Sequence, residues 1–175
     1  DQLGRLKNDG IRLLRLPSIV ELAQHDGVTL LPMRDINIEE LLAREPIELD
    51  RIAIGNLIRG RRVLVTGAGG SIGAELCRQA AAFHCAHLTL MDFSETSLFE
   101  IEREMAETHP QMSRQAVLCD VRNADRVARA FAAERPDLVF HAAALKHVSM
   151  VEQHPCEGVL TNVIGTWNVA EASKA

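Results

Sequence analysis

The sequence has no tyrosine, one tryptophan and five phenylalanines in 175 residues, so aromatic side chains make up only 3% of it. Positive charge is in deficit too: 19 lysines and arginines face 24 aspartates and glutamates, a net charge of -5. A nucleic-acid footprint needs a basic face, so this balance argues against nucleic acid as a partner. Apolar runs fall far short of the roughly 18 residues that span a bilayer, and Asp1-Gln2 does not open a signal peptide. The four cysteines, Cys77, Cys85, Cys119 and Cys156, are widely spaced and form no Cys-x-x-Cys pair. Buried, reduced thiols in a cytoplasmic protein are therefore expected rather than disulfides or zinc ligands. Seven histidines include no His-x-x-x-His pair, and no metal is expected. Internal repeats and low-complexity tracts are missing as well.

Glycine is concentrated where it matters. Arg62 to Gly73 reads Arg-Val-Leu-Val-Thr-Gly-Ala-Gly-Gly-Ser-Ile-Gly, a short apolar strand running into a glycine turn and then into a helix. That order suits dinucleotide binding. Gly67 permits the tight turn, Gly70 lets the backbone approach a pyrophosphate, and Gly73 lets helix and strand pack closely. The phosphates would rest on free N–H groups at the helix start, with Ser71 and Ile72 in its first turn. The spacing Gly67-x-x-Gly70-x-x-Gly73 is the variant found in short-chain dehydrogenase/reductase-like folds, with an extra glycine at Gly69.

From residue 61 the pattern is regular: strands at 62–66, 87–91, 115–119 and 137–141, and helices at 71–83, 95–108, 123–133 and 155–173. Such alternation implies right-handed crossovers and a parallel sheet covered on both faces. The expected class is α/β, a Rossmann-like sheet in strand order 3-2-1-4 with its ligand crevice at the strand C-terminal ends. In the last helix, Leu160, Val163, Ile164, Trp167 and Ala170 share one stripe, which is expected to face the sheet. A complete doubly wound domain would continue with a fifth strand, so this piece reads as truncated. Its fourth strand would then be an apolar edge, and self-association into a homo-oligomer is expected.

Residues 1–60 differ in texture. Strands at 11–16 and 28–33, short helices at 19–24 and through Arg44, and a third helix at Arg51–Ile58 capped by Asp50 make an α/β extension. It reads as the tail of a preceding domain plus a connector, with residues 61–175 forming the N-terminal part of a nucleotide-binding domain.

Several residues fall where such a cofactor would lie. Asp92 ends the second strand, where a carboxylate accepts both hydroxyls of an adenosine ribose and repels a 2'-phosphate; this favours NAD mildly over NADP. A helix cap ahead of Ser94 is the plain alternative, and Ser94 is close enough to share either role. Arg122, near the adenine end, could still offset a 2'-phosphate. Asp120 can meet the adenine amino group and Val121 can flank the ring, although a turn carboxylate would look the same. Ala142, Ala143 and Ala144 would let the cofactor lie against backbone, and His141 before them reads best as a satisfied interior histidine. Lys146 and His147 stand at the crevice mouth, within reach of a diphosphate or sugar, or simply in solvent. Asn162 either reaches the crevice or bridges backbone groups. Reductases of this fold use a tyrosine with a lysine four residues later, and no such pair exists here; no catalytic residue is assigned within the chain.

Together, Val63 to Cys77, Asp92-Phe-Ser-Glu95, Asp120-Val-Arg122, His141-Ala-Ala-Ala-Leu-Lys-His-Val148 and Thr161-Asn-Val-Ile-Gly-Thr166 resemble the polysaccharide-biosynthesis nucleotide-sugar dehydratases. These are UDP-N-acetylglucosamine 4,6-dehydratases of the extended short-chain dehydrogenase/reductase superfamily. The segment Leu31 to Pro46 is similar to the linker of the long members, which implies a parent protein anchored by transmembrane helices at the cytoplasmic face of the inner membrane. The resemblance implies a UDP-sugar substrate, oxidation at C4 by NAD(P)+, elimination of water across C5 and C6, and hydride return to C6. It also implies acid-base residues in a Ser/Thr-x-Lys segment and a Met- or Tyr-x-x-x-Lys helix, both expected after Ala175. An epimerase of the same superfamily, or a non-catalytic dinucleotide-binding module, are the alternatives.

Overall fold

The computed structural model describes residues 14–15, 34–35 and 49–174. The chain divides into two units, Asp1–Leu49 and Asp50–Ala175. In the first, β1 (Leu14–Arg15) pairs antiparallel with β2 (Arg34–Asp35), Leu14 opposite Asp35. The expected helices at 19–24 and through Arg44, and the strand at 28–33, lie outside the described residues.

The second unit opens with α1 (Arg51–Ile58), capped as its sequence suggests: one oxygen of Asp50 accepts the N–H groups of Ile52 and Ala53 at 3.1 and 2.9 Å. Ile54 and Ile58 of this helix pack into the same apolar cluster as the sheet. There follow β3 (Arg62–Thr66), α2 (Ser71–Ala82), β4 (His87–Asp92), α3 (Glu95–Thr108), β5 (Arg114–Leu118), α4 (Ala124–Glu134) and β6 (Leu138–His141). The four long strands are parallel in the order β5-β4-β3-β6, the 3-2-1-4 arrangement of a Rossmann-like sheet.

Alternation along β3 explains why both faces are covered. Val63 and Val65 join Leu88, Leu90, Leu98, Ile101 and Met105 on the side of α2 and α3, while Leu64 joins Met91, Val127 and Phe131 on the side of α4. A strand buried on both faces needs a continuous apolar run, which Val63-Leu64-Val65 supplies. Each side chain of this kind, fully buried, contributes about 1.5–3 kcal/mol.

Beyond β6 the structure corrects the reading of the last helix. A helix not anticipated, α5 (Val148–Gln153), precedes α6 (Pro155–Gly158), a π-helical stretch (Val159–Gly165) and α7 (Thr166–Ala172). The stripe of Leu160, Val163, Ile164 and Trp167 does not face the sheet: these residues are 41–65% exposed. The inward face carries Gly158, Gly165 and Val169 instead. Periodicity tells which residues share a face and not which face is covered. Small residues won the inner side because the backbone comes so close: a Cβ on Gly165 would lie 2.7 Å from Cγ2 of Val121. A second correction concerns cysteine. Cys77, Cys85 and Cys119 are buried thiols as expected, whereas Cys156, in the first turn of α6, is exposed. No helix among the described residues is long and apolar enough to cross a membrane.

Candidate functional site

From β3 the chain proceeds to one side through β4 and β5 and then crosses to the other for β6, and beyond the C-terminal ends of these parallel strands opens a cleft of about 520 Å³. This is where doubly wound sheets take their ligands.

Its floor is the glycine loop. Gly67 has φ +64°, and a Cβ there would lie 2.7 Å from the backbone N of Ala143, so only glycine makes this turn. Gly73 packs the start of α2 onto the loop, where a Cβ would meet Cα of Ala68 at 2.9 Å. Gly70 differs: the one neighbour of a Cβ there would be the Gly67 carbonyl oxygen at 3.3 Å, and the residue lines the cleft. Gly70 is also the N-cap of α2, and no side chain caps that helix. The amides of Ser71, Ile72 and Gly73 in its first turn therefore lack intrahelical acceptors. With twelve residues behind it, this end of α2 presents partial positive charge to an anion.

Asp92 closes one side. It is 7% exposed. One carboxylate oxygen accepts the N–H of Gly69 at 2.9 Å and the other accepts the N–H of Ser94 at 2.9 Å. A carboxylate oxygen has room for a second hydrogen bond, so both remain able to take a hydroxyl. Ser94 serves as N-cap of α3, its hydroxyl accepting from the N–H of Ser97 at 3.4 Å.

At the far end, Asp120, Val121 and Arg122 follow β5 and line the cleft. Val121 is buried, and its carbonyl accepts from the Asn168 amide at 2.9 Å. Arg122 donates its backbone N–H to one oxygen of Asp120 at 2.9 Å and its Nε to the other at 2.8 Å. These bonds hold the Asp120 carboxyl below the usual carboxylate range. The Nη1 of Arg122 reaches Glu157 at 2.7 Å, so the guanidinium that sequence alone left available to a 2'-phosphate is paired with two carboxylates.

Ala142, Ala143 and Ala144 form the wall beyond β6, with the Ala142 N–H on the Thr66 carbonyl at 3.1 Å. His141, at the end of β6, is half-buried with both ring nitrogens bonded: Nδ1 meets the Thr66 hydroxyl at 2.6 Å and Nε2 the Thr166 hydroxyl at 3.0 Å. Thr166 gives its proton to the Asn162 carbonyl at 2.8 Å, so Nε2 must donate to it and Nδ1 must accept from Thr66. Burial pushes the His141 pKa down and favours this neutral tautomer.

The structure thus gathers Gly67, Gly70, Asp92, Ser94, Asp120, Val121 and Ala142 to Ala144 around one cleft. Ser71, Ile72 and Gly73 lie next to it in the first turn of α2, and Lys146 and His147 are exposed outside its lining. Asn162 turns to backbone: its amide accepts from the Leu145 N–H at 2.8 Å and donates to the Leu145 carbonyl at 2.9 Å, fixing the loop that carries the alanines. Phe93, Ser97, Glu157 and Thr161 also line the cleft, although the sequence suggested no site role for any of them. For Ser97 the only signal was its place three residues after a capping serine. For Glu157 there was none, because its partner is 35 residues away.

Comparison with known proteins places this cleft in context. A family model described as "Polysaccharide biosynthesis protein" matches residues 63–175. The capsular polysaccharide biosynthesis protein CapD of Staphylococcus aureus is 35% identical over 99% of the chain, which spans 29% of that relative's length. A UDP-N-acetylglucosamine 4,6-dehydratase (inverting) of Campylobacter jejuni is 29% identical over 66% of the chain and 33% of its own. Among solved structures, Pen from Bacillus thuringiensis superposes with a TM-score of 0.60 at 34% identity, covering 66% of this chain and 34% of that one. WbmG of Bordetella bronchiseptica, solved in complex with NAD and UDP, gives 0.53 at 26% identity over 65% of this chain and 33% of its own. With the family model spanning every strand of the parallel sheet and the cleft at their ends, the chain belongs to the polysaccharide biosynthesis protein family.

Proposed function

We propose that the cleft binds NAD(P) and that this chain is the cofactor-binding part of a nucleotide-sugar 4,6-dehydratase acting on a UDP-N-acetylhexosamine. The observation that carries the reading is the opening at Gly70. The residue faces a cleft bounded by the uncapped start of α2 on one side and the Asp92 carboxylate on the other. The pyrophosphate would lie on the amides of Ser71, Ile72 and Gly73 with Gly67 shaping the turn, the ribose on Asp92 with Ser94 beside it, and the adenine between Asp120 and Val121. Ala142 to Ala144 would flank the nicotinamide half, and Lys146 and His147 would meet the sugar nucleotide. A buried carboxylate at the ribose and an Arg122 already paired with Asp120 and Glu157 support NAD over NADP.

When bound, the dinucleotide would supply a hydride acceptor for C4 of the sugar, whose hydroxyl gives up a proton, and would supply the hydride again at C6. This chain's residues bind and orient it; the proton-transfer groups are proposed to lie in sequence beyond Ala175. The four unpaired thiols support a reducing, cytoplasmic setting. The experiment is an assay with UDP-N-acetylglucosamine on a chain extended through two further strands. A 4-keto-6-deoxy product is expected. Epimerised sugar without loss of water would replace the dehydratase reading with an epimerase one, and no turnover with intact NAD binding would favour a non-catalytic module.

A further inference from the structure

The adenine end of the cleft holds a chain of charge that the cofactor reading does not itself require. Asp120, Arg122 and Glu157 all line the cleft and are bonded in series, from the loop after β5 across to α6. All three side chains are 35–53% exposed, and ion pairs in such settings add little stability. Their geometry is nonetheless specific. Arg122 loads one Asp120 oxygen twice, through Nε at 2.8 Å and Nη2 at 2.7 Å, while the other oxygen receives only the Arg122 backbone N–H at 2.9 Å. The guanidinium fork is rigid, so the carboxylate plane is fixed and one acceptor site on its free side stays open. Glu157, at 2.7 Å from Nη1, holds the opposite edge of the fork.

We infer that Arg122 is a positioning residue for base recognition: it locks Asp120 so that its singly bonded oxygen reads the exocyclic amino group of the adenine, with Glu157 as the anchor of that lock. This rests on the assignment of Asp120 to the adenine end. The amino group of adenine donates a hydrogen bond. The C6 carbonyl of hypoxanthine accepts one, and would place a lone pair against the carboxylate oxygen that the fork holds in position. The lock therefore converts a general acceptor into a filter for the base.

The test compares binding of NAD and of nicotinamide hypoxanthine dinucleotide to the whole chain by calorimetry. The parent is expected to favour NAD by about tenfold or more, the scale of one hydrogen bond to a charged group. Arg122→Met and Arg122→Lys are expected to reduce that ratio to about twofold or less, because neither presents a fork. Glu157→Gln is expected to reduce it partway. A merely structural loss would weaken both dinucleotides equally and leave the ratio in place, and that result would overturn the inference. So would variants that keep the parent ratio at full affinity. A parent that binds both dinucleotides equally would remove Asp120 from the base and the inference with it, while leaving the phosphate cradle standing. A parent that binds neither would remove the cofactor reading as well.

Discussion

The Asp92 carboxylate accepts the backbone N–H of Gly69 at 2.9 Å, so the end of β4 grips the loop that follows β3. Its second oxygen, bonded to the Ser94 N–H, ties the same carboxylate to the start of α3. One side chain thus joins the turn, the second crossover and the cleft, which is why a helix-cap role and a ribose role for Asp92 are compatible.

Replacing Asp92 with Asn removes one of those two acceptors and points an amide donor at a part-buried N–H. Stability should fall by about 1 kcal/mol, toward the low end of the cost of an unsatisfied donor. Affinity for NAD should fall by about tenfold or more, since the ribose loses a charged acceptor. Urea unfolding and calorimetry on the same variant check both. An Asn variant with parental affinity would take the ribose away from this residue.

His141 makes the stability depend on pH in a defined direction. Burial holds its pKa below the ordinary 6.5, so the unfolded chain takes up a proton at a pH where the folded chain does not. Its contribution is fully present above pH 6.5 and declines as the pH falls from there through the folded value. Replacing it with Gln should lower stability at neutral pH, by breaking the bonds to Thr66 and Thr166, and flatten the slope below pH 6.5. Asp120, whose pKa is lowered below 3.8, acts in a separate, more acidic window. Unfolding at a series of pH values in parent and variant separates the two.

Thiol reactivity should divide the cysteines. Burial pushes Cys77 up to about 12 and raises Cys85 and Cys119 as well, while Cys156 stands exposed on α6. A thiolate reagent near pH 8 should label one thiol per native chain quickly and the remaining three only in denaturant. Fast labelling of two or more would contradict this and show that one of the two apolar clusters, with Cys77 and Cys85 or with Cys119, opens readily.

Self-association should be measurable. Among the described residues β6 pairs only with β3, which leaves its other edge open, and Val163, Ile164 and Trp167 face outward on the last helix at 42–65% exposure. Apolar surface of this extent commonly marks an interface. Light scattering is expected to give a dimer or larger species, and Trp167→Glu to shift it toward monomer. A parent that is monomeric at tens of micromolar would contradict this.

The parallel sheet was legible because short strands, most of them apolar as in Val63-Leu64-Val65, alternate with helices of regular length, and the loop because only glycine fits at Gly67. Asp92 was legible by its distance from that loop. What sequence could not show were choices made by tertiary contact. The apolar stripe of the last helix pointed to the wrong face, since backbone approach at Gly165 decided the matter. Asn162 could be read as reaching the crevice or bridging backbone, but its sequence did not choose between them or name Leu145, and Arg122 gave no sign that Glu157 would claim it.

The most direct trial of the account is a titration of the chain with NAD beside its Gly70→Val variant. A Cβ at Gly70 has one neighbour, the Gly67 carbonyl at 3.3 Å, a tight contact with backbone, so the variant should fold with some loss of stability, which urea unfolding of the same sample records. Saturable binding of one NAD per parent chain and none to the folded variant is the predicted result. A variant that binds as well as the parent, or a parent that does not bind at all, would contradict the claim that the start of α2 is open to receive a pyrophosphate.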